Sequence, residues 1–228
     1  MEQVPHLTKI IRMKQRDMKG KPVTDSSKFR NTSPPGREKL ASALRDLLLT
    51  KDFGSITVSE IAKHSSVNEA LIYRYFGNKR GLLHGVLTRY LQTFINQLTI
   101  ELKGLKSVLE KLRKLAWSTI NFYDRDRVSA KILLLEVRAH KDYFESETYQ
   151  TVKIYANLIS TIVQEGIDNG ELQPNVSPQH FRQIVLGTIE HLLLPAIIFD
   201  EPIDVDKLQE IFCDTLFDGV ANLRKLKG

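Results

Sequence analysis

Cysteine is nearly absent: Cys213 stands alone among 228 residues. That excludes an intramolecular disulfide framework and a cysteine-built zinc site, and it fits a reducing compartment. Apolar runs are short. The best, Leu192 to Phe199, falls far below the about 20 residues that a bilayer span needs, so no membrane partner is expected. The basic N-terminus lacks the apolar segment of a secretory signal. Catalytic signatures are missing as well: there is no glycine-rich phosphate loop, no Gly-x-Ser-x-Gly elbow and no His-Glu-x-x-His pair. Glu136 and His140 fall at i and i+4 and could share a metal, but one such pair is ordinarily a hydrogen bond. Catalysis has no support, no metal or other cofactor is implied, and a cytoplasmic protein is the expectation.

What is present is a chain with 42% hydrophobic and 26% charged residues, the balance of a soluble globular protein. Its charge is unevenly placed. Residues 1–36 hold 8 Lys+Arg against 3 Asp+Glu, residues 37–85 hold 8 against 5, and residues 86–228 hold 17 against 19. A basic front and a mildly acidic remainder favour an anionic partner for the front.

The first 35 residues show no sustained period, and Gly20, Pro22 and the Pro34-Pro35-Gly36 stop punctuate a run of Lys, Arg, Ser and Thr. Such a composition buries too little apolar surface to offset the entropy of ordering. Residues 1–35 therefore read as a mobile basic arm, with one short amphipathic turn around Leu7, Ile10 and Ile11. An arm that follows DNA, a passive tail and a misassigned start are the alternatives.

From Arg37 onward the helical period dominates. Leu40, Leu44, Leu47 and Leu48 mark a first helix, which ends near Thr50. Thr57 or Ser59 can cap a short second one carrying Ile61 and Ala62, and Asn68 can cap a third through Phe76. A fourth runs from about Lys79 towards Gly104 on a stripe that includes Leu82, Leu83, Val86, Leu87 and Leu91. Further helices are predicted over about Val108–Tyr123, Val128–His140, Tyr149–Asn169, Ser177–Ile198 and Val205–Leu226. Gly170 suits the left-handed position past one end, Pro178 suits a first helical turn, and Pro195 should kink its helix or mark its last turn. No stretch alternates like a strand. The chain is expected to be all-α.

The informative segment is Thr57-Val58-Ser59-Glu60-Ile61-Ala62, a break at Ser65-Ser66-Val67, and Asn68 to Phe76. Two short helices that cross steeply need a small residue at their closest approach, and Ala62 supplies it; Val67 plugs the turn, and Ile72 and Phe76 pack the second helix down. Asn68, Glu69, Tyr73 and Arg74 are left facing outward. This is helix-turn-helix geometry, whose second helix fits the major groove. An ordinary helical hairpin has similar spacing.

The run Ile-Thr-Val-Ser-Glu-Ile-Ala at 56–62, Val67, Ile72-Tyr73-Arg74-Tyr75-Phe76, and Lys79 with Leu82 resembles the N-terminal domain of tetracycline-repressor (TetR) family regulators. The motif match covers about residues 37–85, and the rest agrees in helix number and length. Ser65-Ser66 stands where Ala-Gly is common, and Ala70 where glycine is frequent. A serine forced to positive φ at 66 is disfavoured by about 1 kcal/mol relative to glycine.

The resemblance implies a three-helix DNA-binding head, residues 36–82, on a helical ligand-binding and dimerisation body, residues 83–228. It gives Tyr73 and Lys79 to phosphate, with the N-terminus of the fourth helix assisting, and Thr57 and Ser59 to a phosphate across the groove. Asn68, Glu69, Ala70 and Arg74 take the reading end: Arg74 for guanine, Asn68 for adenine or phosphate, Glu69 for cytosine. It also implies a homodimer on an inverted-repeat operator. The last two helices are the expected interface, because Val185, Leu186, Ile189, Leu192 and Leu193 spread beyond one stripe.

A small hydrophobic effector is expected between the middle helices of the body, with Trp117, Phe122, Leu134, Tyr155, Leu158 and His191 as candidate lining. The Glu165–Leu172 segment and the helix after it look similar to TetR-type sensors of fatty acyl-CoA. The expected function is a DNA-binding regulator, a repressor released by that effector. The alternative is an all-α ligand-carrier or interaction module with no DNA target.

Overall fold

The computed structural model describes residues 34–218. The expected basic arm up to residue 33, and the turns expected for the final helix between residues 219 and 226, lie outside the described residues. Nine helices and no strand occur among those described.

Three short helices come first. α1 (Pro35–Leu48) has its proline at the first helical position, where the missing N–H has no partner to lose, and buries Leu40, Ala43, Leu44, Leu47 and Leu48. A 3-10 turn at Phe53–Ser55 leads to α2 (Val58–Ser65), and α3 (Ala70–Phe76) follows. α4 (Lys79–Leu102) is the spine: its N-terminal turns pack on α3 and the rest on the body.

The body holds α5 (Val108–Arg125), the short α6 (Arg127–Lys131), α7 (Glu147–Asp168), α8 (Pro178–Phe199) and α9 (Val205–Asp218). α7 lies against α4, α5 and α8, and α9 covers α5. Gly170, at φ 81°, lies just past α7, and Pro178 opens α8 behind the Ser177 cap, both as predicted. The N-terminus of α5 is capped from a distance. The Glu171 carboxylate accepts from Ser107 Oγ and Val108 N at 2.8 Å each, and the Ser107 bond above all holds it below the usual carboxylate range.

Two expectations need correction. The helix predicted over Val128–His140 ends at Lys131 and gives way to a π turn, Ile132–Glu136, in which Val137 N donates to Ile132 O at 3.0 Å. The extra residue per turn keeps Ile132, Leu133 and Val137 buried while Leu135 faces outward. It also brings the Arg138 guanidinium to Glu190 of α8 through two bonds of 2.6 and 2.8 Å. The second correction concerns α8. Its 22 residues, with a mean hydropathy of 1.4 in the most apolar stretch, are long and apolar enough to cross a membrane by length and composition. The cause is two apolar faces: Val185, Ile189, Leu193, Ala196 and Ile197 are buried, whereas Ile184, Leu192, Ile198 and Phe199 are exposed.

Candidate functional site

Each turn of the α2–α3 unit is set by a particular side chain. Thr57 caps α2, its Oγ accepting from Glu60 N at 3.1 Å, so of the two candidate caps Thr57 serves and Ser59 stays exposed. Ser66 ends α2 at φ 53° and ψ 38°, the left-handed conformation that glycine adopts without strain. Its N–H and that of Val67 return to the carbonyls of Lys63 and Ala62 at 3.2 and 3.1 Å. Asn68 Oδ1 then accepts from Ala70 N at 2.8 Å and starts α3, leaving its amide hydrogens to donate outward.

α3 is short and two-sided. Ile72 is fully buried, while Asn68, Glu69, Ala70, Tyr73 and Arg74 are exposed, with Tyr73 at 53%. Tyr73 thus leaves about half of its surface open to solvent. The structure therefore brings Asn68, Glu69, Ala70, Tyr73 and Arg74 onto one outward surface, and Thr57 and Ser59 are exposed at the start of α2.

Lys79 is placed differently from the expectation of a direct phosphate contact. Its ammonium donates to the carbonyls of Phe53 at 2.9 Å and Ile56 at 2.6 Å. Burial, and next the neighbouring Arg80, push it below the usual lysine range. Two of its three hydrogens are thus committed within the chain, tying the loop before α2 to the start of α4. Asn78 caps that start by accepting from Gly81 N at 2.8 Å. Gly81 itself was not singled out by the sequence reading: a Cβ there would collide with the Phe76 carbonyl, so α3 and α4 can join this closely only at glycine.

A cleft of about 570 Å³ runs between α1, α4 and α5. Of the six residues expected to line a pocket, Trp117 and Phe122 border it. Tyr155 stands behind it, its ring centre 5.4 Å from that of Phe94 in an edge-on arrangement and its hydroxyl bonded to Thr119. Leu158 is buried on α7 and Leu134 is half-buried in the π turn, and neither reaches the cleft. His191 is exposed. It cannot line an interior pocket, because the register that turns Val185, Ile189 and Leu193 inward turns residue 191 out.

The cleft has an aromatic wall, with Tyr90 and Phe94 stacked on Phe122 at 4.0 and 4.2 Å between centroids. Trp117 Nε1 donates to Asp206 of α9 at 2.6 Å, and Lys114 Nζ lies 4.5 Å from its ring. Three of its lining residues, Glu38, Arg45 and Arg89, enter two ion pairs that the sequence did not suggest. Arg45 of α1 meets Asp126 at 2.8 Å, and Arg89 of α4 meets Glu38 of α1. Among the described residues no group of three His, Cys, Asp or Glu converges as metal ligands, and the Glu136 and His140 carboxylate and ring are instead bonded to Arg80 and Asp142.

Residues 40–86 match the family of bacterial regulatory proteins called the tetR family, and residues 87–219 match the C-terminal region of YsiA-like proteins. The fatty acid metabolism regulator protein of Bacillus subtilis (strain 168) is 24% identical over 188 residues, which make up 82% of this chain and 97% of that protein. In structure, the transcriptional regulator FadR from Bacillus subtilis in complex with stearoyl-CoA superposes with a TM-score of 0.74 at 24% identity, over 81% of this chain and 99% of that one. The fatty acid degradation regulator FadR from Bacillus halodurans gives 0.74 at 22% identity, over 82% and 97%. These likenesses show a shared fold, and the two family models together span residues 40–219. The chain belongs to the tetR family of bacterial regulatory proteins, with a YsiA-like C-terminal region, and is a DNA-binding transcriptional regulator.

Proposed function

We propose that the protein is a cytoplasmic repressor that grips an inverted-repeat operator as a homodimer and leaves it when a long-chain acyl-CoA binds the body. The observation that carries the DNA half is the outward surface of α3, where Asn68, Glu69, Ala70, Tyr73 and Arg74 stand exposed on a helix held by a cap at one end and by Gly81 at the other. Tyr73, Thr57 and Ser59 meet phosphates and set the register. Arg74, Asn68 and Glu69 read base edges. With its ammonium turned inward, Lys79 acts chiefly by fixing the N-terminus of α4, whose N–H groups face the DNA backbone.

The second apolar face of α8 supports dimerisation. Ile184, Leu192, Ile198 and Phe199, together with Ile211 of α9, are all exposed by 42% or more, and large apolar side chains left open on neighbouring helices suit a protein partner. A twofold pairing of α8 and α9 covers them, and His191 then lies in that interface. The effector class rests on the relatives, whose names concern fatty acid regulation and one of which holds stearoyl-CoA. The aromatic cleft between α1, α4 and α5 is large enough for part of such a ligand.

The test is selection of bound duplexes from a random pool, followed by titration with palmitoyl-CoA. The reading expects an inverted repeat that is released as palmitoyl-CoA is added. Binding that palmitoyl-CoA leaves untouched would refute the effector, and failure to enrich any duplex would refute the operator.

A further inference from the structure

Three arginines border the cleft from three helices: Arg45 on α1, Arg89 on α4 and Arg125 on α5. Two of them already hold anions. Asp126 sits at 2.8 Å from Arg45, and Glu38 pairs with Arg89. Arg125 is in none of the ion pairs found among the described residues, whose arginines include Arg45, Arg80, Arg89, Arg113, Arg127 and Arg138. The paired arginine side chains remain 58% and 64% exposed, and Glu38 is 42% exposed, so the Arg89–Glu38 pair is screened by water and readily exchanged for a stronger anion, whereas Asp126, 13% exposed and held also by Ser129, gives up Arg45 at greater cost. Phosphate oxygens suit the guanidinium fork better than a single carboxylate contact does. Beyond the arginines the wall becomes aromatic, with Tyr90, Phe94 and Phe122 stacked together.

Both ion pairs also connect the same two parts. Glu38 and Arg45 belong to α1, whose Gly36 lies against Val67, Leu71 and Tyr75 of the α2–α3 unit, while Arg89 lies in α4 and Asp126 joins α5 to α6. Asp126 caps α6 as well, accepting from Ser129 N at 3.0 Å. We infer that this cleft seats the phosphate-bearing end of a phosphorylated amphiphile, which takes Arg45 and Arg89 away from Asp126 and Glu38 and so unties α1 from the body. The inference rests on the acyl-CoA reading and adds to it a place for the charged end and a route to the DNA-binding head. Because the built-in carboxylates compete with the ligand, it also fixes a sign: removing a carboxylate must strengthen ligand binding.

Trp117, the single tryptophan of the chain, borders the cleft and reports occupancy by its fluorescence. The full-length protein is titrated with palmitoyl-CoA, with coenzyme A lacking the tail, and with palmitate lacking the phosphates. Glu38→Gln is expected to tighten palmitoyl-CoA and coenzyme A roughly two- to fivefold, the worth of competition with one surface ion pair. Arg89→Gln and Arg125→Gln are expected to weaken both by about tenfold, the worth of a charged hydrogen bond. Palmitate should respond to none of the three. If wild type binds palmitoyl-CoA but Glu38→Gln weakens it, or all three variants bind as wild type does, the headgroup site is refuted and the effector reading survives. If wild type binds no palmitoyl-CoA while still binding DNA, both are refuted.

Discussion

The ammonium of Lys79 lies 4.4 Å from the ring centre of Phe53 and donates to the carbonyl of that same residue. One side chain therefore joins the loop before α2 to the first turn of α4, and the orientation of the reading helix depends on it. Lys79→Met keeps the stem but takes the ammonium from both carbonyls, leaving Phe53 O with only the 3.3 Å bond from Ile56 N and Ile56 O without its Lys79 donor, at about 1–3 kcal/mol. Urea unfolding and DNA affinity measured on one preparation should fall together. Loss of DNA affinity with stability unchanged would return Lys79 to the role of a plain phosphate contact.

Gly81 sets the angle between α3 and α4. In Gly81→Ala the new methyl meets the backbone carbonyl of Phe76 rather than a flexible side chain, so the chain must shift, at about 1–3 kcal/mol or more. DNA binding should be lost while palmitoyl-CoA binding, whose cleft is lined by no residue of the α3–α4 joint, is kept. An alanine variant with wild-type DNA affinity would show that the α3–α4 angle is not critical.

His84 couples α4 to α7. Its Nδ1 lies 2.9 Å from Thr148 Oγ1, and that hydroxyl donates to the His84 carbonyl at 3.3 Å, which assigns the ring proton to Nδ1. Burial above all, with Arg80 acting in the same direction, lowers the imidazole below its ordinary 6.5, while Asp142 and Glu147 oppose. The folded protein thus prefers the neutral ring. Its contribution to stability is complete above about pH 6.5, the unfolded value, and is lost as pH falls below that towards the folded value. Melting temperatures at pH 7.5 and 5.5 should differ more for wild type than for His84→Gln. Equal differences would remove His84 from the pH response.

Much of this architecture is legible in the sequence because it is local. The Thr57 and Asn68 caps, Gly170 past α7 and Pro178 at the start of α8 act on the backbone a few residues away, so pattern and chemistry suffice to find them. The left-handed Ser66 was legible too, from the place it holds in the motif.

What escaped depends on residues far apart in the chain. The inward turn of Lys79 needs carbonyls at 53 and 56, and the cleft needs α1 laid beside α5, with Arg45 reaching Asp126 across 81 residues. His191 failed for a related reason. The apolar residues of α8 surround the helix, and a pattern without a polar side cannot say which face is inner. The π turn at Ile132–Glu136 has no signal of its own in the sequence; its consequence, the pairing of Arg138 with Glu190, joins residues on different helices.

The central claim is that the outer surface of α3 chooses a DNA sequence. Its most direct test is quantitative binding of wild type, Tyr73→Phe and Arg74→Ala to the duplex selected by the protein and to each single-base-pair change in one half-site. Tyr73→Phe should weaken every duplex by a similar factor. Arg74→Ala should abolish discrimination at one base pair per half-site, worth about 1–3 kcal/mol, and leave the other positions selective. Wild-type affinity and wild-type discrimination in both variants would contradict the account.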